Sequence, residues 1–423
     1  MMVWEKLLST DRLSESTSTN KYRTVFNQDF GRVLYSSAFR RLQDKTQVFP
    51  LGRNDYVRTR LTHSLEVSNV GRSLAIRFQD IIAEKENIDN QDLMVIADIV
   101  ATACLAHDIG NPPFGHSGEK AIECAVHKLS DKKDYTFEGN AQGFRVLTCI
   151  GDPIKGNGLD LTCATLGAFT KYPCTALSRQ EDYYSKYGVN KGEIDKFRIV
   201  AKKCGLDEPT KDLWVRHPLA YLMEAADDIS YLIADLEDAY ISGILSYEKV
   251  MEQYNVLANF SCEDNSSLEK EKKERGEVCA VRHARARAVG VCIEELENVM
   301  RNDYQSIKDG TLKKGLMDNS KLRDKYDKVK AFSQNHIYTH ESVVNVEITG
   351  FNVILKLIEL YMEWVYSRKS PISKKIEKVL HPEQSMVNDR DYRFAHIIDY
   401  VSGMTDSFAL KTYNELFGRL PTI

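Results

Sequence analysis

The chain has 423 residues, of which 43% are hydrophobic and 28% charged, and its formal net charge is −4. This is a globular composition, with ample length for a hydrophobic core. The mild acidic balance excludes a bulk basic surface for nucleic acid, though not a local basic patch.

No apolar run approaches the ~20 residues of a membrane span. The N-terminal MMVWEKLLSTDRLSES carries charge early and lacks the apolar core of a signal peptide. The nine cysteines are odd in number and contain no C-x-x-C pair. They read as reduced thiols, neither a disulfide framework nor a zinc knuckle, and the expected location is the cytoplasm.

In chain order, KTQVFPL (45–51) is the best strand candidate, and alternating runs are otherwise scarce. Residues 62–85 carry Leu65, Val70, Leu74, Ile76 and Phe78, with Val70, Leu74 and Phe78 four residues apart, predicting an amphipathic helix with Thr62 as its N-cap. Residues 91–107 are apolar almost all round, so a buried helix is expected. It must stop before Pro112, with Gly110 as its cap. GDPIKGNGLD (151–160) reads as a glycine-rich loop. A further helix starts at Pro218, the favoured first position, and runs to about Gly243. Residues 263–276 are almost wholly polar and read as loose chain. The last clear helical pattern is 350–369. No repeat is visible at solenoid periods. The expected fold is all-α: one large helical domain over 1–423, with a catalytic core at about 55–250 and a C-terminal helical lobe at about 260–423.

The chemistry concentrates in LAHDIGNPPFGHSGE (105–119). His107 and Asp108 form a metal-ligand pair. His116 follows eight positions after Asp108 and could serve as an acid or base, with Glu119 on the next turn to orient it. The helix at 218–240 holds a physical contradiction. It is mostly apolar, yet it carries Glu224, Asp227, Asp228 and Asp235. A lone buried carboxylate costs several kcal/mol unless it is paired or bound to metal. Asp227, Tyr231 and Asp235, spaced i, i+4, i+8, share one face that could line a cavity. Two readings stay open for these acids: a metal site, or ion pairs to Arg and Lys of neighbouring helices. With His63, the set His63, His107, Asp108 and Asp227 would suit one octahedral divalent ion with open water positions, such as Mn²⁺, Mg²⁺ or Fe²⁺. The absence of thiolate ligands argues against structural zinc.

The chain has ten histidines, so a single one is weak evidence. His127, His217, His283, His381 and His396 have no motif around them and read as surface or satisfied residues. His336 and His340 form an i, i+4 pair without a carboxylate triad and read as a decoy. Arg282, Arg285 and Arg287 in AVRHARARAV could contact single-stranded nucleic acid or a neighbouring subunit's nucleotide, or could form a solvated helix face. Phosphate loops of the G-x-x-x-x-G-K-[ST] and G-x-G-x-x-G types are absent.

The spaced set His63, His107-Asp108, Asp227 resembles that of the HD-domain phosphohydrolases. FRRLQDKTQVFP (39–50), RTRLTHSLEV (58–67), LAHDIGNPPFGHSGE (105–119), FEGNAQGFRVL (137–147), LMEAADDISYLIADLEDA (222–239) and DYVSGMTD (399–406) look, in that order, like the bacterial deoxyguanosine triphosphate triphosphohydrolases. The resemblance implies hydrolysis of a deoxynucleoside triphosphate, with dGTP preferred or with broad range, to deoxynucleoside and tripolyphosphate. It implies His63, His107, Asp108 and Asp227 as ligands of one divalent metal ion, and His116 and Glu119 as a catalytic dyad. It implies Tyr231 and Asp235 against the deoxyribose and Gln47 on its 3′-hydroxyl. Arg60, Asn140, Lys171 and Lys186 would contact phosphate. A homo-oligomer, often a hexamer, is also implied. No motif aligns between about 251 and 380. Other HD-type nucleotide phosphohydrolases, and a nucleotide- or single-strand-binding protein, are the competing readings.

Overall fold

The computed structural model describes residues 2–14, 21–49, 56–89, 93–129, 136–151 and 158–418. Among them the backbone is helical with no strand, and only isolated bridges occur. The expected all-α class holds, while the expected strand at 45–51 does not form. Thr46 makes a single bridge to Thr59, and Pro50 and Leu51 lie outside the described residues. The apolar side chains of that run are used as loop anchors, Phe49 being 2% exposed.

The helices that frame the site are α1 (Val25–Leu34), α2 (Arg60–Glu86), α3 (Val95–Ala106), α4 (Gly115–Leu129), α5 (Gly139–Arg145), α6 (Cys163–Phe169) and α7 (Pro218–Ile241). Beyond them come α8 (Tyr247–Ala258), α9 (Cys262–Arg275), α10 (Glu277–Asn302), α11 (Arg323–His336), α12 (Glu341–Tyr361), α13 (Arg390–Ser402) and α14 (Asp406–Phe417). α3 is the buried helix expected from its composition. It lies between α2, α1, α6 and α7, and Ile96, Ile99, Val100, Cys104 and Leu105 are fully buried.

Several boundaries differ from expectation. α2 begins at Arg60, with Thr59 as N-cap, and Thr62 is the N3 partner of a capping box. The two hydroxyls compete for the cap, and the upstream one wins. Gly110 is not a left-handed cap: α3 ends with His107 at its C-cap in right-handed conformation. A Cβ at Gly110 would lie 2.1 Å from the Gly143 nitrogen, so this glycine is there for close approach to α5. α12 begins at Glu341, well before residue 350, because His340 caps it by accepting from the Ser342 N–H. The polar stretch 263–276 is helix α9, started by a Ser261–Asp264 capping box. Arg275–Glu271 and Lys270–Glu274 pairs line its surface, and it packs along α10. Of the expected loop at 151–160, residues 152–157 lie outside the described residues.

Among the described residues there are two large hydrophobic cores and one small cluster around Tyr172, Tyr184 and Leu213. The first runs from Met2 to Val343 and includes α2, α3, α6 and α7. The second joins Ala121, Ile122, Ala125 and Val126 of α4 to Val353, Leu357 and Ile358 of α12, Ile397 and Val401 of α13 and Ala409 of α14. α4, which carries His116, therefore packs with the C-terminal helices. No helix of the described residues is long and apolar enough to cross a membrane.

Candidate active site

Two ends of helices and the middle of a third converge. His63 lies in the first turn of α2, His107 and Asp108 follow α3, and Asp227 lies mid-way along α7. Ligand atoms of His63, His107 and Asp108 lie within 4.8 Å of one another. Asp227 Oδ1 is 3.1 Å from His63 Nε2 and 3.5 Å from His107 Nε2. His63 is 1% exposed and Asp108 6%. His107 Nδ1 meets the Cys104 carbonyl at 2.7 Å, which fixes the ring, while His107 Nε2 is buried and has no hydrogen-bond partner. A buried imidazole nitrogen left open, with carboxylates alongside, fits a metal ion. Burial would push the Asp227 carboxyl up, but the His107 and His63 imidazoles beside it hold it well below the usual carboxylate range. Asp108 is likewise buried and lowered, chiefly by Arg60, whose Nη1 donates to Asp108 Oδ2 at 2.7 Å.

A tight turn leads from this group to His116. Phe114 and Gly115 both adopt left-handed backbone, with φ of 59° and 55°. A Cβ on Gly115 would come 2.5 Å from Arg60 Nη2, so only glycine lets the guanidinium lie against the turn. His116 projects outward, its side chain 68% exposed, with Nδ1 3.3 Å from Glu119 Oε2. Glu119 Oε1 accepts the Gly139 N–H at 2.8 Å, so Glu119 ties α4 to α5. Burial opposes ionisation of Glu119, but His116 and Lys186 keep it lowered. Asn140 Nδ2 donates to Glu138 Oε1 at 2.6 Å, and Lys186 Nζ lies 3.5 Å from Glu138 Oε2. Asn140 and Lys186 are thus gathered beside the His116–Glu119 pair.

Lys171 stands beside the N-terminal part of α7, 3.1 Å from Glu224 Oε1, whose Oε2 accepts from Arg216 at 2.6 Å. Glu224 therefore follows the ion-pair reading. Tyr231 and Asp235 face a residue that sequence reasoning missed, Tyr338. The Tyr231 and Tyr338 rings stack at 6.0 Å with 22° between planes, and the Tyr338 hydroxyl donates to Asp235 Oδ2 at 2.6 Å. Tyr338 sits in the turn between α11 and α12, inside the stretch without recognisable motif; no local signal marks it. Gln47 follows the Thr46–Thr59 bridge, and its buried Oε1 has no partner. Among the described residues it makes no hydrogen bond to Tyr231 or Asp235.

Burial, partly offset by the Tyr338 hydrogen bond, lifts Asp235 from its ordinary 3.8 to about 8. Between those values the unfolded chain carries the charge and the folded chain does not, so folding stability falls as pH rises through the window. Asp235→Asn removes this dependence and keeps an acceptor for Tyr338. The variant's stability advantage over the parent should widen from pH 5 to pH 8, by up to ~1.4 kcal/mol per pH unit. Urea melts across that range check it, and a constant difference refutes it.

Three of the remaining histidines have partners within the fold. His217 is the buried N-cap of α7 and meets the Leu7 carbonyl at 2.9 Å, and burial lowers it to about 4. His396 contacts the Leu380 carbonyl at 2.9 Å, and His336 stacks on Phe332. The arginines of α10 have carboxylate partners: Arg285 lies 2.8 Å and Arg282 3.5 Å from Glu237, and Arg287 pairs with Asp264.

A family model described as HD domain matches residues 60–141, and one described as phosphohydrolase-associated domain matches 318–415. A Synechocystis sp. protein named deoxyguanosinetriphosphate triphosphohydrolase-like protein is 37% identical, covering 99% of both chains. A Pseudomonas aeruginosa protein of the same name is 36% identical over 99% of both. The chain belongs to the deoxyguanosinetriphosphate triphosphohydrolase-type HD phosphohydrolases. A Yersinia pseudotuberculosis relative named deoxyguanosinetriphosphate triphosphohydrolase is 30% identical, with 93% of each chain covered. The HD match begins at Arg60 and takes in His63, the His107–Asp108 pair, His116 and Glu119. Asp227, Tyr231 and Asp235 lie between the two matched regions, and Tyr338 falls within the second.

Proposed function

We propose that the chain hydrolyses deoxynucleoside triphosphates to deoxynucleoside and tripolyphosphate. The observation that carries this reading is the single face of α7, on which Asp227 meets the two imidazoles and, one and two turns on, Tyr231 and Asp235 meet Tyr338. A metal group and an aromatic shelf with a carboxylate are thereby set side by side, as a phosphate and a sugar require.

His63, His107, Asp108 and Asp227 would hold a divalent ion, Mg²⁺ or a transition metal such as Mn²⁺ or Fe²⁺. When bound, the ion would offset phosphate charge and polarise the α-phosphoryl group. Arg60, Lys171, Lys186 and Asn140 would hold the phosphate chain, displacing their present carboxylate partners by charge-assisted bonds to phosphate. The 5′-oxygen leaves as a poor alkoxide and needs a proton. His116, outward-facing and steered by Glu119, is the group we assign to proton transfer there. Tyr231, backed by Tyr338, would pack flat under the deoxyribose, leaving no room for a 2′-hydroxyl. Asp235 and the open Gln47 Oε1 would read the 3′-hydroxyl.

The test is the product. Purified protein incubated with each dNTP and Mn²⁺ or Mg²⁺ should release deoxynucleoside and tripolyphosphate in equal amounts. Orthophosphate or pyrophosphate as the released species would overturn the reading.

A further inference from the structure

The motif DYVSGMTD ends at Asp406, and nothing in the proposed chemistry uses it. Asp406 is the first residue of α14 and is 4% exposed. A carboxylate there could cap its own helix, but Thr405 does that by accepting the Phe408 N–H. Both Asp406 oxygens instead reach other segments. Oδ2 accepts the Thr46 N–H at 2.9 Å and the Thr46 hydroxyl at 2.6 Å, and Oδ1 accepts the Phe114 N–H at 2.9 Å. Thr46 immediately precedes Gln47, and Phe114 lies two residues before His116.

Phe114 needs holding. A non-glycine residue in left-handed backbone is strained by roughly 1–2 kcal/mol. Its N–H is bonded to Asp406, and its side chain packs against α12 at Gly350, where a Cβ would lie 2.4 Å from that of Phe114. Both restraints come from the C-terminal helices. Lys45 completes the junction: its Nζ is buried and donates to the Asn111 carbonyl at 2.5 Å and the Ser402 carbonyl at 3.0 Å.

We propose that Asp406 is a positioning residue that fixes His116 and Gln47 relative to each other. One carboxylate anchors the backbone of the turn that launches His116 and the backbone that presents Gln47. This rests on the roles proposed above for those two residues. It predicts that loss of Asp406 impairs turnover and 3′-hydroxyl reading together, while the metal group, built on the other core, is spared.

The experiment compares Asp406→Asn and Thr46→Val with Asp399→Asn. Asp399 lies on α13 and binds Arg145 and Gln142, touching neither Thr46 nor Phe114. Each variant is assayed with a dNTP and with its 2′,3′-dideoxy counterpart, and Mn²⁺ affinity is measured by calorimetry. Asp406→Asn should lose roughly 10–100-fold in kcat, as small misplacements do. Its dNTP/ddNTP ratio should fall several-fold, with Mn²⁺ affinity within about twofold of the parent. Thr46→Val should lower the ratio alone, and Asp399→Asn should leave it unchanged. Equal falls in the ratio for Asp399→Asn and Asp406→Asn, or no fall in a folded Thr46→Val, overturn the proposal. Amide exchange of segments 111–119 and 45–49 provides a readout independent of turnover. It should quicken in Asp406→Asn and not in Asp399→Asn, and unchanged exchange would refute the role even if the parent protein fails to hydrolyse dNTPs. That failure would count against the proposed function alone.

Discussion

Asp227→Ala should abolish both Mn²⁺ binding and turnover, with activity reduced by at least ~1,000-fold. The side chain meets both imidazoles, at 3.1 and 3.5 Å. Without it the candidate centre keeps two imidazoles and a carboxylate already engaged by Arg60. Charge stabilisation by a metal is worth several kcal/mol, and each ~1.4 kcal/mol is a factor of ten. The helix itself should survive, since α7 is held by fully buried Leu219, Tyr221, Leu222 and Leu236. Thermal melts with and without Mn²⁺ separate binding from folding. The parent protein should melt higher with the ion, by mass action, and the variant should not. A retained Mn²⁺ shift in the variant would remove Asp227 from the metal sphere.

His116→Ala should behave in the opposite way. Its side chain is 68% exposed and contributes no core packing, so folding and Mn²⁺ binding should match the parent. Turnover should fall by roughly 10²–10⁴-fold, the usual worth of a positioned acid or base. Glu119→Gln should give a milder loss, because Gln still accepts the Gly139 N–H while losing the charge beside the imidazole. Full activity in His116→Ala would take it out of the chemistry. The contrast between the two alanine variants is the sharpest available division of the site into metal and proton-transfer groups.

Much of this was legible in the sequence, and unevenly so. The helix at Pro218 and the buried helix before His107 announce themselves through periodicity and proline placement. The acidic face of α7 betrays itself because carboxylates do not sit in apolar helices without a reason. The same logic left two outcomes open: Glu224 takes the ion-pair one, while Asp227 turns to the imidazoles of the candidate metal group. Chain-distant partnerships were out of reach. Tyr338 meets Asp235 across 103 positions, and no local pattern marks a tyrosine in a turn. Helix α9 was unreadable for a different reason. Leu268 is its one buried residue among those described, so it has no apolar stripe, and its capping box and charge pairs are weak signals.

The second hydrophobic core bears on how the protein comes into being. α4 is made early, yet Ala121, Ile122 and Ala125 find their partners only on α12, α13 and α14. During synthesis the first core can close around His63, His107 and Asp227 while α4 still waits for its seat. Domains fold as their chain emerges, so the nascent protein would gather the His63, His107 and Asp227 group first and seat the helix that carries His116 last. A ribosome stalled before residue 353 would carry a chain that still lacks the buried α12, α13 and α14 residues of the second core against which α4 is seated.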